Sequence, residues 1–147
     1  MKSEPSEFSI DDLEFVQVEP WDGVRNYQVR NMFRDNFSIG DKALFYHSNT
    51  KHIGVVGEME VVKEAYPDQT QFDARSSHYD PKSDKNDPRW LLVDVQFVSK
   101  FPRVVTLDEL KADKKFATLP IVRKGNRLSV VEITKKQYEA IVMLANK

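Results

Sequence analysis

Two stretches of this chain alternate with a period of two, and they do most to limit its fold. In residues 53–62, Ile53, Val55, Gly57, Met59 and Val61 share one face, and Glu58 and Glu60 lie on the other. In residues 90–101, Leu91, Val93, Val95 and Phe97 form one face, opposite Trp90, Leu92, Asp94 and Gln96. Successive strand side chains point to opposite sides, so each stretch reads as a strand. Residues 42–47 read as a third strand, entered from the Gly40-Asp41 turn. Residues 48–52 are few enough to join it to the 53–62 strand as a hairpin. A fourth strand is expected over residues 127–133, after the turn Lys124-Gly125-Asn126.

Helices are announced by capping chemistry. Ser9 with Asp12, Thr106 with Glu109, and Thr134 with Gln137 each have the capping-box spacing. The second of these opens a short helix to about Asp113. The third opens a last helix in which Tyr138, Ile141, Val142 and Ala145 recur at helical spacing. Asn26 is a good N-cap for a helix to about Asn36. There Val29, Met32 and Phe33 form an apolar stripe, and Asn26, Arg30 and Arg34 share another face. Short helices interleaved with strands, without regular βαβ spacing, indicate an α+β fold with a curled, mainly antiparallel sheet. At 147 residues the chain is expected to form one domain, residues 1–147.

Residues 66–89 hold no period. Prolines, aspartates and serines are dense, yet Tyr66, Phe72, His78 and Tyr79 make the stretch too aromatic for a disordered linker. Long loops inside compact domains tend to be functional, and an ordered loop across a site is expected.

Composition excludes several functions. Net charge is -1, with 22 Lys and Arg against 23 Asp and Glu. A phosphate-driven nucleic-acid binder is strongly cationic, so any nucleic-acid role must rest on a local patch and a specific pocket. There is no cysteine, which removes disulfides, thiolate metal sites and a cysteine nucleophile and fits an intracellular chain. No apolar run reaches the roughly 20 residues of a membrane span, and no signal peptide is visible.

His47, His52 and His78 are the only histidines, and no metal-binding spacing joins them. Ser48 follows His47 directly, so in a strand the two side chains diverge and make a poor catalytic pair. No phosphate-binding loop or nucleophile elbow is present. Aromatic residues beside polar ones are the stronger signal: Trp21, Tyr46, Tyr79 and Trp90. Ring faces with a few fixed donors are what a flipped base requires. The plainer alternative is that Tyr46 and Trp90, both in strands, are core or barrel-rim residues.

Taken together, Lys2-Ser3-Glu4-Pro5, Trp21-x-Gly23-Val24-Arg25-Asn26-Tyr27-Gln28-x-Arg30-Asn31, Phe45-Tyr46-His47-Ser48, Tyr66-Pro67-Asp68, Tyr79-Asp80-Pro81-Lys82-Ser83 and Arg127-Leu128-Ser129-Val130 resemble the EVE domain, in order over essentially the whole chain. The resemblance implies a PUA-like pseudo-barrel of mainly antiparallel strands with peripheral short helices, related to the YTH and ASCH modules. The first strand should be short, since the Lys-Ser-Glu-Pro motif directly follows Met1. The resemblance also implies a non-catalytic reader of modified bases, chiefly 5-methylcytosine and related modified cytosines in DNA. An RNA-binding module is the alternative, followed by a small nucleotide-acting enzyme using His47 or His78 with Asp80. No cofactor and no metal are implied, and no membrane partner. A separately encoded effector such as a nuclease is an implied partner.

Carried onto this sequence, the base pocket comprises Ser3, Glu4, Trp21, Asn26, Tyr46, His47, Ser48, Tyr79, Asp80, Arg127 and Ser129. Trp21 and Tyr79 would sandwich the ring. Glu4 or Asp80 would accept from an exocyclic amine, and His47, Ser48 or Asn26 would address the other edge atoms. A methyl group against an apolar wall adds roughly 1 kcal/mol, so selectivity for methyl alone should be modest. Arg25, Lys51, Arg75 and Lys82 would hold flanking phosphates.

Overall fold

The computed structural model describes all 147 residues. In chain order the elements are β1 (Lys2–Ser3), α1 (Ile10–Val16), β2 (Val18–Pro20), α2 (Tyr27–Asp35), β3 (Lys42–His47), β4 (Gly54–Pro67), β5 (Leu91–Thr106), α3 (Leu107–Ala112) and α4 (Lys135–Ala145). Short 3-10 turns occupy Gln69–Phe72, Lys114–Phe116 and Pro120–Val122. The fold is mixed α+β. Its five strands form one open, mostly antiparallel sheet in the order β1-β3-β4-β5-β2. No helix is long and apolar enough to cross a membrane.

The chain divides into two compact units. The first comprises Met1–Gln17, Ala43–Met59 and Phe97–Lys147; the second comprises Val18–Lys42 and Glu60–Gln96.

In the first unit, α1 begins at the expected capping box. Asp12 N–H donates to Ser9 Oγ at 3.1 Å, and Ser9 N–H donates to Asp12 Oδ2 at 2.8 Å. Ile10 and Leu13 are its buried residues. The short β1 pairs in parallel with β3, Lys2 opposite Tyr46 and Ser3 opposite His47. The core gathers Leu44, Tyr46, Val55, Phe101, Val105, Leu110, Phe116, Leu119, Ile141 and Ala145. Gly54 permits a close backbone approach there, since a Cβ would lie 2.2 Å from Val105 O. At α4 the Thr134–Gln137 box forms in full. Ile141 and Ala145 are buried, whereas Tyr138 and Val142 are only partly so.

Two local expectations need correction. Thr106 does cap α3, Glu109 N–H donating to its Oγ1 at 3.2 Å, but the reciprocal half of the box is missing. The Glu109 carboxylate instead takes two 2.8 Å bonds from Arg103, which also donates to Leu144 O. Residues 127–133 form no strand. Lys2 N–H donates to Ser129 O at 2.8 Å, but β1 is only two residues long and supplies too little backbone for a ladder.

In the second unit, β2 pairs antiparallel with β5, Val18 opposite Gln96, Glu19 opposite Val95 and Pro20 opposite Asp94. The helix α2 starts where expected, with Val29 N–H donating to Asn26 Oδ1 at 3.0 Å, and it buries Val29 and Phe33. The Phe33 ring meets Phe37 edge-on. Both long strands outrun their sequence signal: β4 continues to Pro67 and β5 to Thr106. Alternation fades in β4 after Val62 because Lys63 and Glu64 are both exposed. In β5, Pro102 does not end the strand. β2 pairs with β5 only over Asp94–Gln96, well before Pro102.

Candidate functional site

The second unit holds a network built around two fully buried polar side chains, Asp68 and Gln71. Both belong to the stretch that carried no period. Asp68 Oδ2 accepts from Gly23 N–H at 2.8 Å and from Arg25 at 3.0 Å, and Oδ1 accepts from Thr70 N–H at 2.9 Å. Burial alone would raise the Asp68 pKa. The bonds from Thr70, Gly23 and Arg25 outweigh it and hold the carboxyl below the usual carboxylate range.

Gln71 donates to Asp68 O and Trp90 O, while its Oε1 accepts from Ser83 Oγ and Trp90 N–H. All four bonding capacities of its amide are thereby met. The loop is therefore ordered by an internal side chain that bonds residues 68, 83 and 90 at once.

Arg25, expected at a phosphate, is instead part of this framework. Its Nε and one terminal nitrogen donate to His78 O, that same nitrogen to Thr70, and the other terminal nitrogen to Val24 O and Asp68. All five guanidinium donors are engaged, so none remains for a phosphate. Gly23 has φ +80° and lies under the His78 ring, where a Cβ would be 2.6 Å from Nε2. Only glycine suits both the backbone and the space.

The aromatic members of this unit differ in exposure. Trp21 and Trp90 are 7% and 6% exposed, and Tyr79 is 43% exposed. Trp90 Nε1–H donates to Asp80 Oδ2 at 2.7 Å. That bond, followed by Lys82 N–H on the same carboxyl, lowers the Asp80 pKa. Asn26 is committed to its helix cap. Arg75 and Lys82 are exposed, and neither side chain enters an ion pair. Tyr27 was not singled out from the sequence. It is 51% exposed, with its ring centroid 4.7 Å from that of Trp90 and the Arg30 guanidinium 4.8 Å from it. Its place directly after an N-cap was the available signal, since the first turn of a helix is its open end.

The first unit contains the other expected residues. Ser48 N–H donates to Ser3 O at 3.0 Å, and Tyr46 N–H donates to Met1 O. Ser3 Oγ donates to Phe8 O at 2.6 Å. Glu4 Oε1 accepts from Asn49 at 3.2 Å and leaves its other oxygen outside that bond. Tyr46 is 6% exposed and sits in the core, which pushes its pKa up to about 12. Ser129 follows Arg127, and through its carbonyl it accepts from Lys2 N–H. Arg127 and Lys51 are exposed.

His47 has a defined tautomer. Ile10 N–H donates to its Nε2 at 3.1 Å. A backbone N–H can only donate, so Nε2 carries no hydrogen and the neutral ring must carry it on Nδ1. Burial lowers the His47 pKa and keeps the ring neutral. His47 therefore presents an Nδ1–H donor.

The chain matches the EVE domain family over residues 1–144. Mouse thymocyte nuclear protein 1 is 44% identical over 162 residues, covering 98% of this chain and 71% of that protein. Its human counterpart is 42% identical over 165 residues, covering 100% and 73%. A solved structure from Pseudomonas syringae superposes with a TM-score of 0.95 at 44% identity, covering 99% of this chain and 97% of that one. The crystal structure of human THYN1 in complex with DNA containing 5-methylcytosine superposes with a TM-score of 0.93 at 40% identity, covering 100% and 96%. The sequence motifs, the mixed α+β fold and these similarities lead to one conclusion: the chain belongs to the EVE domain family.

Proposed function

We propose that this protein is a non-catalytic reader of modified cytosine in DNA. The observation that carries the reading is the similarity, over the full chain, to human THYN1 in complex with 5-methylcytosine-containing DNA. A flipped base needs ring surface and edge donors and acceptors. In the second unit Tyr79 offers open ring surface, and little of Trp21 reaches solvent. In the first unit His47 Nδ1–H is a donor toward a ring nitrogen or carbonyl, and Glu4 is an acceptor for an exocyclic amine. Arg25 positions the Gly23 turn and the 68–90 loop rather than touching DNA. Lys51, Arg75 and Lys82 are the flanking phosphate ligands. A separately encoded effector such as a nuclease would act on the DNA so marked.

The test is fluorescence anisotropy with matched oligonucleotides carrying cytosine, 5-methylcytosine or 5-hydroxymethylcytosine at two salt concentrations. A preference for a modified strand that survives at the higher salt supports the reading. Tyr79→Ala should then weaken binding by about 1–3 kcal/mol, the value of one stacked base. Equal binding to all three strands, fading with salt, refutes base reading and turns attention to RNA.

A further inference from the structure

In a chain of net charge -1, cations are concentrated in one short region. Residues 111–127 contain Lys111, Lys114, Lys115, Arg123, Lys124 and Arg127, against the single acid Asp113. All six cations are exposed. None enters an ion pair, whereas Arg25, Arg34, Arg89, Lys100, Arg103 and Lys135 all do. None of the six side chains hydrogen-bonds within the protein.

The region is a braced corner rather than a loose tail. Leu110, Phe116 and Leu119 are completely buried and anchor it to the core of the first unit. α3 packs against both following 3-10 turns. Lys115 N–H donates to Asp113 Oδ1, Asn126 Nδ2 donates to Pro120 O, and Leu128 N–H donates to Asn126 Oδ1. The apolar residues face inward, so the cations between them face water. The corner runs straight into Ser129, whose carbonyl accepts from Lys2 N–H on β1, next to Ser3 and the following Glu4.

We propose that this corner is a phosphate-tracking surface, which receives the nucleic-acid backbone flanking the bound base. The inference rests on the DNA-reading function above and supplies the local patch that a net charge of -1 demands. Unpaired, exposed ammonium and guanidinium groups on a rigid support suit a polyanion. They release counterions from it without first breaking internal ion pairs. Four of the six are lysines, which act as point charges and carry no base information.

The test compares two double variants of equal charge in the full chain, Lys114→Gln with Lys124→Gln, and Lys42→Gln with Lys147→Gln. All four lysines are exposed, so both proteins should unfold at the wild-type temperature. Affinity for modified and unmodified duplexes is measured across salt. For the corner variant, the plot of log affinity against log salt should become shallower by about 2. Affinity near 0.1 M salt should fall roughly tenfold or more. The ratio of modified to unmodified binding should stay at the wild-type value. The control pair should leave the slope unchanged. A corner variant with the slope and affinity of wild type or of the control overturns the proposal. Loss of the modified-to-unmodified preference in wild type refutes base reading alone, because the slopes still judge the corner. A wild type that binds no nucleic acid overturns both.

Discussion

Arg25 shows how far a residue's surroundings decide its role. In the sequence it is one of several arginines near loops. In the structure its side chain is 21% exposed and pairs with a completely buried carboxylate. Arg25→Ala leaves Asp68 unpaired in the interior. The expected loss is about 3 kcal/mol of stability in denaturant unfolding, the lower end for a buried pair because Arg25 is partly solvated. Arg25→Lys should fall between, since an ammonium keeps the charge but not the planar fork. The pH dependence follows from the depressed Asp68 carboxyl. Its folded pKa lies below the unfolded value near 3.8, so the unfolded state takes the proton first as the pH falls. This stabilisation is complete above about pH 4 and is lost as the pH drops through the folded value. Asp68→Asn should flatten that acid limb. His47 makes a second prediction. In 15N NMR, Nδ1 should give the protonated signature and Nε2 the bare one, and the ring should stay neutral below its ordinary pKa of 6.5. The reverse tautomer would refute the donor role of Nδ1.

At the scale of elements, the 68–90 loop depends on one amide. Gln71→Leu removes four hydrogen bonds and leaves Trp90 N–H without its partner in a buried place, while the Asp68 and Trp90 carbonyls keep their backbone donors. An unsatisfied buried group costs about 1–3 kcal/mol. The variant should lose about that much stability or more. It should also be cut by protease within residues 73–89 far faster than wild type. Unchanged proteolysis would mean that the loop is held by other contacts. The elements themselves were legible to different degrees. The start of α2 at Asn26, the box at Ser9 and the strand at residues 42–47 could all be read directly, because caps and alternation involve neighbours in sequence. The strand expected at residues 127–133 had the right composition but lacked a partner long enough to pair with. The box at Thr106 formed only in half, because Arg103 offered Glu109 two charged bonds in place of one backbone N–H.

At the scale of the whole molecule, ligand binding and folding are linked. An oligonucleotide that binds only the folded chain stabilises it by about 2.7 kcal/mol at one hundred times Kd. For a chain of this length that is a rise in Tm of roughly 5–10 °C. A modified-cytosine duplex should therefore raise Tm more than its unmodified match at the same concentration, as read by calorimetry. Equal shifts would mean that the modification is not sensed. At a net charge of -1, a nucleic-acid role requires a local cationic patch. Its position at residues 111–127 is visible in the sequence, but the burial of Leu110, Phe116 and Leu119 is what makes it a braced surface.

By itself the sequence determined where most elements begin, the α+β class and the family resemblance. These rest on local periodicity, on caps made within three residues and on motifs in register. Only the tertiary structure decided which groups remain available to a ligand. Arg25 meets His78 across 53 residues of chain, Gly23 meets Asp68 across 45, and His47 meets Ile10 across 37. A hydrogen-bond donor can serve one acceptor well, and pairings at such separations leave no trace in local pattern. Trp21 and Tyr46 became buried, Arg25 became framework, and His47 became a fixed donor because the folded chain placed distant partners against them.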